Sequence, residues 1–363
     1  EGGTGRSEVK RLFNPGRDDP VENDLRRRFG STGYSRSEMN EDSRPAGIPS
    51  AEDMARDRAR GCLLGLAVGD AIGTTVEFSP RGSFDRVVDM VGGGPFDLHA
   101  GEWTDDTSMA LCLAASLIQC DGFDPADQMD RYLLWRDEGY QSVNGRCFDI
   151  GGTVNAALHR FERTGEPFAG STDPRSAGNG SIMRLAPVAI ACHRDESLAC
   201  ENAAESSRTT HGAEECIDAC RMLGVVLARL IAGGSRDVLA SLDPTAYRSA
   251  ALRSIARGEY AGKSERDIRS SGYVVHTLEA AFWCFRRTEN FEDAVLAAAN
   301  LGEDADTVAA VCGQIAGACH GRSGIPERWR ERVAWASLLE TTADRLFAMN
   351  PSDGDGVSGG RGS

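Results

Sequence analysis

Two short, oxygen-rich motifs lie far apart in the chain, Thr104-Asp105-Asp106-Thr107 and Asp304-Ala305-Asp306-Thr307. Each immediately precedes an apolar stripe at helical spacing, so each is expected at a helix start. Thr and Asp are good N-cap residues, and carboxylates there gain from the helix dipole. Two well-capped helices are therefore the plain structural account. A cap needs one such side chain, however, and each motif supplies three or four. Neighbours one or two positions apart diverge on a regular helix and converge only at an irregular first turn, where a metal site can use them. Brought together, the motifs offer four carboxylates and several hydroxyls, with no Cys or His in either. Hard oxygen donors of this kind suit Mg²⁺, Mn²⁺ or Ca²⁺, not zinc. Four close negative charges repel one another without a cation, and their number points to two ions sharing bridging carboxylates.

The elements that must position these motifs read as helices. From Ala51 onward apolar residues recur at helical spacing, as at Leu63, Leu66 and Ala67, at Met109, Leu113, Leu117 and Cys120, and at Val308, Val311, Cys312, Ile315 and Cys319. No run alternates convincingly as a strand. Val87 to Val91, before Gly92-Gly93-Gly94, is the nearest and is short. The expected fold class is all-α. Gly65, Gly69 and Gly73 recur every four residues, which lets two helices approach closely. A phosphate loop would need a preceding strand and a Gly-Lys-Ser/Thr ending, and the sequence has neither there. No internal repeat is visible.

The bulk numbers bound the function. The 363 residues are 40% hydrophobic and 26% charged, ordinary for a globular protein and enough for a sizeable core. A net charge of −15 repels phosphate backbones and argues against nucleic acid as a general partner. Eleven cysteines are scattered with no Cys-x-x-Cys pair, the pattern of reduced core thiols in a cytosolic protein. No apolar run reaches the roughly 18 residues of a membrane span. Glu1 to Arg6 do not read as a signal peptide, and a cytoplasmic location is expected.

Composition shifts near residue 50. Residues 1–50 hold ten hydrophobic, nine basic and nine acidic residues, so they are neutral and the remainder carries the whole −15. Such a segment cannot bury enough apolar area to offset its ordering entropy and is expected to be flexible alone. Val21, Leu25 and Phe29 would line one face of a short helix that folds on a partner. Residues 351–363 are Gly/Ser/Asp-rich and are expected to be disordered. The expected organisation is an extension at 1–50, a helical domain at 51–350 and a tail.

Six stretches, taken in order, resemble the ADP-ribosylglycohydrolase family, whose founding bacterial member reactivates dinitrogenase reductase. They are Gly61 to Gly73 with Glu77-Phe78, Thr104 to Thr107, Phe148-Asp149-Ile150-Gly151, Gly178-Asn179-Gly180-Ser181 through Arg184, Thr210-His211 with Gly272-Tyr273-Val274-Val275, and Asn300 to Thr307. The resemblance implies an orthogonal all-α bundle with a central binuclear metal cleft. It implies Thr104, Asp105, Asp106, Asp304, Asp306 and Thr307 as ligands to two Mg²⁺ ions. It also implies that Gly178, Asn179, Gly180, Ser181 and His211 lie along the ribose and diphosphate, and that Tyr273 lies near the adenosine. Backbone N–H groups of a Gly-rich turn suit phosphate oxygens independently. Three positions depart from the family's frequent choices: Glu303 stands for Gly, Gly152 for Asn, and His276 for the Asp of arginine-specific bacterial members. They bear on substrate preference and leave the six ligand positions intact.

The activity implied is metal-dependent hydrolysis of the bond between ADP-ribose and a protein side chain, foremost arginine. The bond is glycosidic, at C1″ of the distal ribose, with an oxocarbenium-like transition state. Asp149 is the first candidate base or substrate-positioning acid. Glu77 is the second, because related hydrolases of serine linkages place the working carboxylate at the matching position. Asp106 is counted with them. His211 read alone is a plain N-cap neighbour, and Met183 and Arg184 read as packing and ion-pairing. Hydrolysis of serine-linked or polymeric ADP-ribose is the alternative activity. A non-catalytic binding protein is the alternative class. The extension suggests an immunity factor whose residues 1–50 occlude an ADP-ribosyltransferase toxin.

Overall fold

Ser50 opens the first helix by a reciprocal cap. Its hydroxyl accepts from Asp53 N at 3.0 Å, and the Asp53 carboxylate accepts from Ser50 N at 2.9 Å. The computed structural model describes residues 49–349. Among these it is all-helical, with no strand, as the periodicity required. The readings on residues 1–48 and 351–363 lie outside the described residues.

The first helix, α1 (Ala51–Gly73), is amphipathic at its start and buried from Gly61 to Gly73. The chain continues through α2 (Asp105–Cys120), α3 (Pro125–Glu138), α4 (Gly152–Thr164), α5 (Ala186–Ala191), α6 (Glu196–Thr210) and α7 (Glu214–Ile231). It ends through α8 (Ala250–Ala256), α9 (Val274–Arg287), α10 (Phe291–Ala299), α11 (Ala305–His320), α12 (Glu327–Arg332) and α13 (Ala336–Ala348). The main core surrounds α1, α7, α9 and α11. A second apolar cluster joins α2, α3 and α4 through Met109, Met129, Trp135, Leu158 and Phe161.

The seam between α1 and α11 sets the frame. Gly61, Gly65, Gly69 and Gly73 face Gly317, Gly313, Ala309 and Ala305, and a Cβ on any of the four glycines would strike the opposing backbone. The four-residue glycine spacing is thus a packing device, as the sequence indicated. With no side chains between them the two backbones touch, and the facing ends are fixed without slack. α1 carries Asp70 in its last turn and leads to Glu77, while α11 begins at the second acidic motif.

A second tie fixes the turns beyond the seam. Phe78 N donates to Glu303 O at 2.7 Å, and Glu303 N donates to Ser79 O at 2.8 Å. Phe78 and Glu303 both have φ of 59°, in the left-handed region. Glycine would take this backbone at position 303 without strain, whereas it costs a side-chain-bearing residue about 1 kcal/mol. Val87 to Val91 forms no strand. Gly92, Gly93 and Gly94 all have positive φ, and they fold the chain back so that Gly93 pairs with Leu98 alone. All eleven cysteines are free, and Cys112, Cys216, Cys220 and Cys312 are buried. No described helix is long and apolar enough to cross a membrane.

The seam predicts an asymmetric response to small substitutions. Gly69→Val must push α1 off Ala309, and it should cost about 3 kcal/mol or more. Gly262→Ala meets nothing within 4 Å and should be nearly neutral. Thermal unfolding measures both, with a Tm fall of roughly 5–10 °C expected for the first alone.

Candidate functional site

The two acidic turns meet. Carboxylate oxygens of Asp105, Asp106 and Asp306 lie within 4.8 Å of one another, as do those of Glu77, Asp149 and Asp306. The Thr307 hydroxyl reaches Asp106 Oδ1 at 3.5 Å. Asp304, in the N-cap position of α11, makes no side-chain cap bond and instead accepts from the Asn179 amide. Thr104, in the N-cap position of α2, makes none either. The account of these motifs as helix caps therefore fails for both helices.

The cap of α2 comes from outside it. Asp70 of α1, fully buried, accepts from Thr104 N and Oγ1, both at 2.9 Å, and from Thr107 N and Oγ1 at 3.1 and 2.6 Å. It satisfies the exposed N–H groups of α2 and lets the α2 carboxylates face the cleft. Sequence reasoning quoted Asp70 within the opening stretch and gave it no task. The available signal was a lone carboxylate inside the apolar run from Leu63 to Ile72.

These groups line a cleft of about 330 Å³ with Gly178, Asn179, Gly180, His211, Gly272 and Thr307. Eleven of the expected site residues are on its wall: Glu77, Asp105, Asp106, Asp149, Gly178, Asn179, Gly180, His211, Asp304, Asp306 and Thr307. Three are behind it. Thr104 is fully buried with its hydroxyl committed to Asp70. The Ser181 hydroxyl is buried with no hydrogen-bond partner. Tyr273 donates its hydroxyl to Glu215 at 2.7 Å and pairs by backbone with Gly178. His276 packs edge-on to Tyr273 with Nδ1 at 2.8 Å from Ser271 Oγ. Gly152 has open space where a side chain would stand. One sequence reading needs correction: Arg184 makes no ion pair among the described residues, because its partners are carbonyls, a hydroxyl and an aromatic ring.

The electrostatics of the wall are those of a cation site. Burial, then the charges of Asp306, Asp149, Asp105 and Asp304, pushes Glu77 up to about 11. Burial, then Asp70, raises Asp149 to about 7, and burial raises Asp304 to about 6. Asp105, Asp106 and Asp306 are also held well above the carboxylate range, again chiefly by burial. Asp106 Oδ2 and Asp306 Oδ1 are buried with no hydrogen-bond donor. Buried carboxylate oxygens without donors are costly unless a cation satisfies them. Oxygen donors alone, crowded and under-satisfied, fit a hard divalent cation. Asp149, with φ of 60°, is held in the left-handed region like Phe78 and Glu303. Strained backbone of this kind concentrates at functional sites.

Comparison with known proteins agrees with this geometry. The ADP-ribosylglycohydrolase family model matches residues 51–356. The chain is 49% identical over 282 residues to the ADP-ribosylarginine hydrolase Tri1 of Pseudomonas putida (strain GB-1), covering 77% of this chain and 75% of that protein. It is 32% identical over 266 residues to the ADP-ribosyl-[dinitrogen reductase] glycohydrolase of Rhodospirillum rubrum, covering 72% and 85%. Among solved structures, a chain of an ADP-ribosylglycohydrolase-related protein complex superposes with a TM-score of 0.73 at 43% identity, covering 82% of this chain and 99% of that one. With the family model matched across the whole helical body, and with relatives of this similarity, the chain belongs to the ADP-ribosylglycohydrolase family and is a glycohydrolase.

Proposed function

We propose that the enzyme releases ADP-ribose from arginine side chains of proteins, using two divalent cations, Mg²⁺ foremost. One observation carries the reading. Glu77 and Asp149 stand beside Asp306 on a wall that also bears the Gly178–Gly180 turn and His211. Proton-transferring carboxylates thus share a cleft with the metal-type cluster and with donors suited to a diphosphate. The arginine-hydrolase names of the similar proteins from Pseudomonas putida and Serratia proteamaculans, the latter 46% identical, support the arginine linkage.

Asp105, Asp106, Asp304, Asp306, Thr307 and, from behind, Thr104 are the residues assigned to the cations, which when bound supply Lewis acidity and a template for the ribose hydroxyls. Asn179, through its amide, holds Asp304 in place. Gly178, Gly180 and His211 bind the ribose and diphosphate from the wall, and Ser181 and Tyr273 support that wall from behind, Tyr273 toward the adenosine end. Water attacks C1″ as the bond to the guanidino nitrogen breaks, and that nitrogen keeps the bonding pair. Asp149 takes a proton from the water and returns one to the released guanidine. A carboxylate with a pKa near the working pH suits both transfers. Glu77 serves as the acid if the linkage is to serine, because a departing alkoxide needs a proton at once.

The test is turnover on arginine-, serine- and polymer-linked ADP-ribose, with divalent cation and with chelator. Asp149→Asn should cut arginine hydrolysis by about a hundredfold or more and Glu77→Gln much less. A preference for serine linkages with the reverse order would overturn the arginine reading.

Cation binding should also appear in stability. Asp149, Asp304 and Asp70 fold with values of about 7, 6 and 6, above their ordinary 3.8. The folded, metal-free protein therefore binds more protons than the unfolded chain, and their contribution to stability is lost as pH rises from about 4 to about 7. The Tm gain on adding Mg²⁺ should grow over that window as the cation replaces protons. A gain independent of pH would argue against cation binding at this carboxylate cluster.

Residues 1–50 precede the family match at residue 51. We assign them to binding and occluding an ADP-ribosyltransferase toxin, which makes the chain a cytoplasmic immunity protein that also reverses modification. Removing residues 1–48 should leave hydrolysis within about twofold and abolish toxin binding, measured by pull-down and calorimetry. Retained binding would end this assignment.

A further inference from the structure

Arg184 is fully buried, and no carboxylate neutralises it among the described residues. Its Nη1 donates to Gly180 O at 2.9 Å and its Nη2 to Thr210 Oγ1 at 2.7 Å. The guanidinium carbon lies 4.7 Å from the centre of the Tyr132 ring, and its Nε has no partner. A buried cation with one donor idle is expensive to keep. Holding the fold together does not account for it, since an apolar side chain would do so at less cost.

The hydrogen bonds leave one consistent assignment of protons. A threonine hydroxyl has one proton to donate. Thr210 Oγ1 accepts from Arg184, which carries donors only, and its other near partner is His211 Nδ1 at 2.9 Å. A hydroxyl oxygen can accept twice, so the direction is set by the Thr210 proton: Nδ1 is the acceptor placed for it among the described residues, a proton turned elsewhere would be buried unpaired, and Nδ1 therefore accepts. In a neutral imidazole the remaining proton is then on Nε2. Burial, then the Arg184 charge, lowers the His211 pKa to about 3, so the ring is neutral in the working range.

The Nε2 side of the ring faces the ligand turn. A Cβ on Gly180 would lie 2.7 Å from His211 Cε1 and 3.2 Å from Nε2, and one on Gly178 would lie 3.4 Å from Nε2. At position 180 the imidazole edge lies where a side chain would begin, so glycine there lets the ring pack against the turn. His211 lines the cleft.

We propose that Arg184 is a positioning residue that acts through Thr210: it fixes His211 as a neutral ring whose Nε2–H is the donor to a ribose or diphosphate oxygen of ADP-ribose. The ligand half of the proposal rests on the reading of this cleft as an ADP-ribose site. Neutrality matters because the donor keeps its proton without carrying a charge into a cleft crowded with carboxylates.

Two readouts test it. Nitrogen-15 NMR of the histidine rings reports the tautomer with no ligand present, and the His211→Ala variant assigns the signal among the six histidines. The expected wild-type pattern is a bare Nδ1 and a protonated Nε2, unchanged between about pH 6 and 8. Thr210→Val and Arg184→Lys should both release the tautomer preference, and Thr210→Ser should restore it. Calorimetry with ADP-ribose and Mg²⁺ should show Thr210→Val weakening binding about tenfold and Thr210→Ser within about twofold of wild type. Placed in the His211→Ala background, Thr210→Val should weaken binding no further, because its effect passes through the ring. A wild-type Nδ1–H tautomer, or an undiminished Thr210→Val effect in that background, overturns the proposal. A correct tautomer in a protein that binds no ADP-ribose overturns the ligand half alone.

Discussion

Mutual repulsion among buried carboxylates is the constraint around which this protein is organised. Asp70, Glu77, Asp105, Asp106, Asp149, Asp304 and Asp306 all have pKa values raised first by burial, and neighbouring charge adds to it for most of them. Left to relax, such groups would separate or take up protons. They are kept together by the tightest packing in the molecule. The α1–α11 seam has no side chain on its glycine face to yield, so Asp70 and the second acidic turn are placed from one rigid unit. The Phe78–Glu303 backbone tie extends that rigidity to Glu77 and Asp304. Close helix packing and cation affinity are therefore one design: the seam prevents the escape that repulsion favours, and a cation relieves what the seam prevents.

How much of this was legible in the sequence follows the range of each interaction. The acidic motifs, the helical periods and the glycine spacing are local patterns, and each was readable. That the two motifs share one cleft needed either the family resemblance or the folded chain. Asp70 was missed because its task, capping a helix that begins at Asp105, has no local trace. Thr104 read as a ligand equal to its neighbours, yet its proton belongs to Asp70 and its oxygen lies behind the wall. Arg184 read as ion-pairing because an arginine in an acidic chain usually finds a carboxylate. Only the packing shows that it meets carbonyls and Thr210 instead.

The cleft has two chemically distinct ends. Around Asp106 and Asp306 there are carboxylate oxygens without donors, and the Gly178–Gly180 turn and His211 stand on the same wall. A ligand that binds across both must carry hydroxyls that share a cation at one end and anionic oxygens at the other. ADP-ribose has that order, with its distal ribose next to its diphosphate. On the function proposed above, the distal ribose with C1″ lies at the acidic end, where Glu77 and Asp149 stand beside Asp306.

The strain in the backbone points the same way. Among the described residues seven non-glycine positions have positive φ, and three of them, Phe78, Asp149 and Glu303, are at the cleft or on the tie that braces it. Each such residue costs on the order of 1 kcal/mol. Relaxing any of the three would swing a carboxylate or its brace away from Asp306, and the groups that must sit within 4.8 Å would part. The same backbone that a stability-optimised helical protein would avoid holds Glu77 and Asp149 beside Asp306. Glu303 is the clearest case. Glycine would hold that turn with less strain, so the carboxylate there is retained at a cost, and it adds to the charge that raises Asp304.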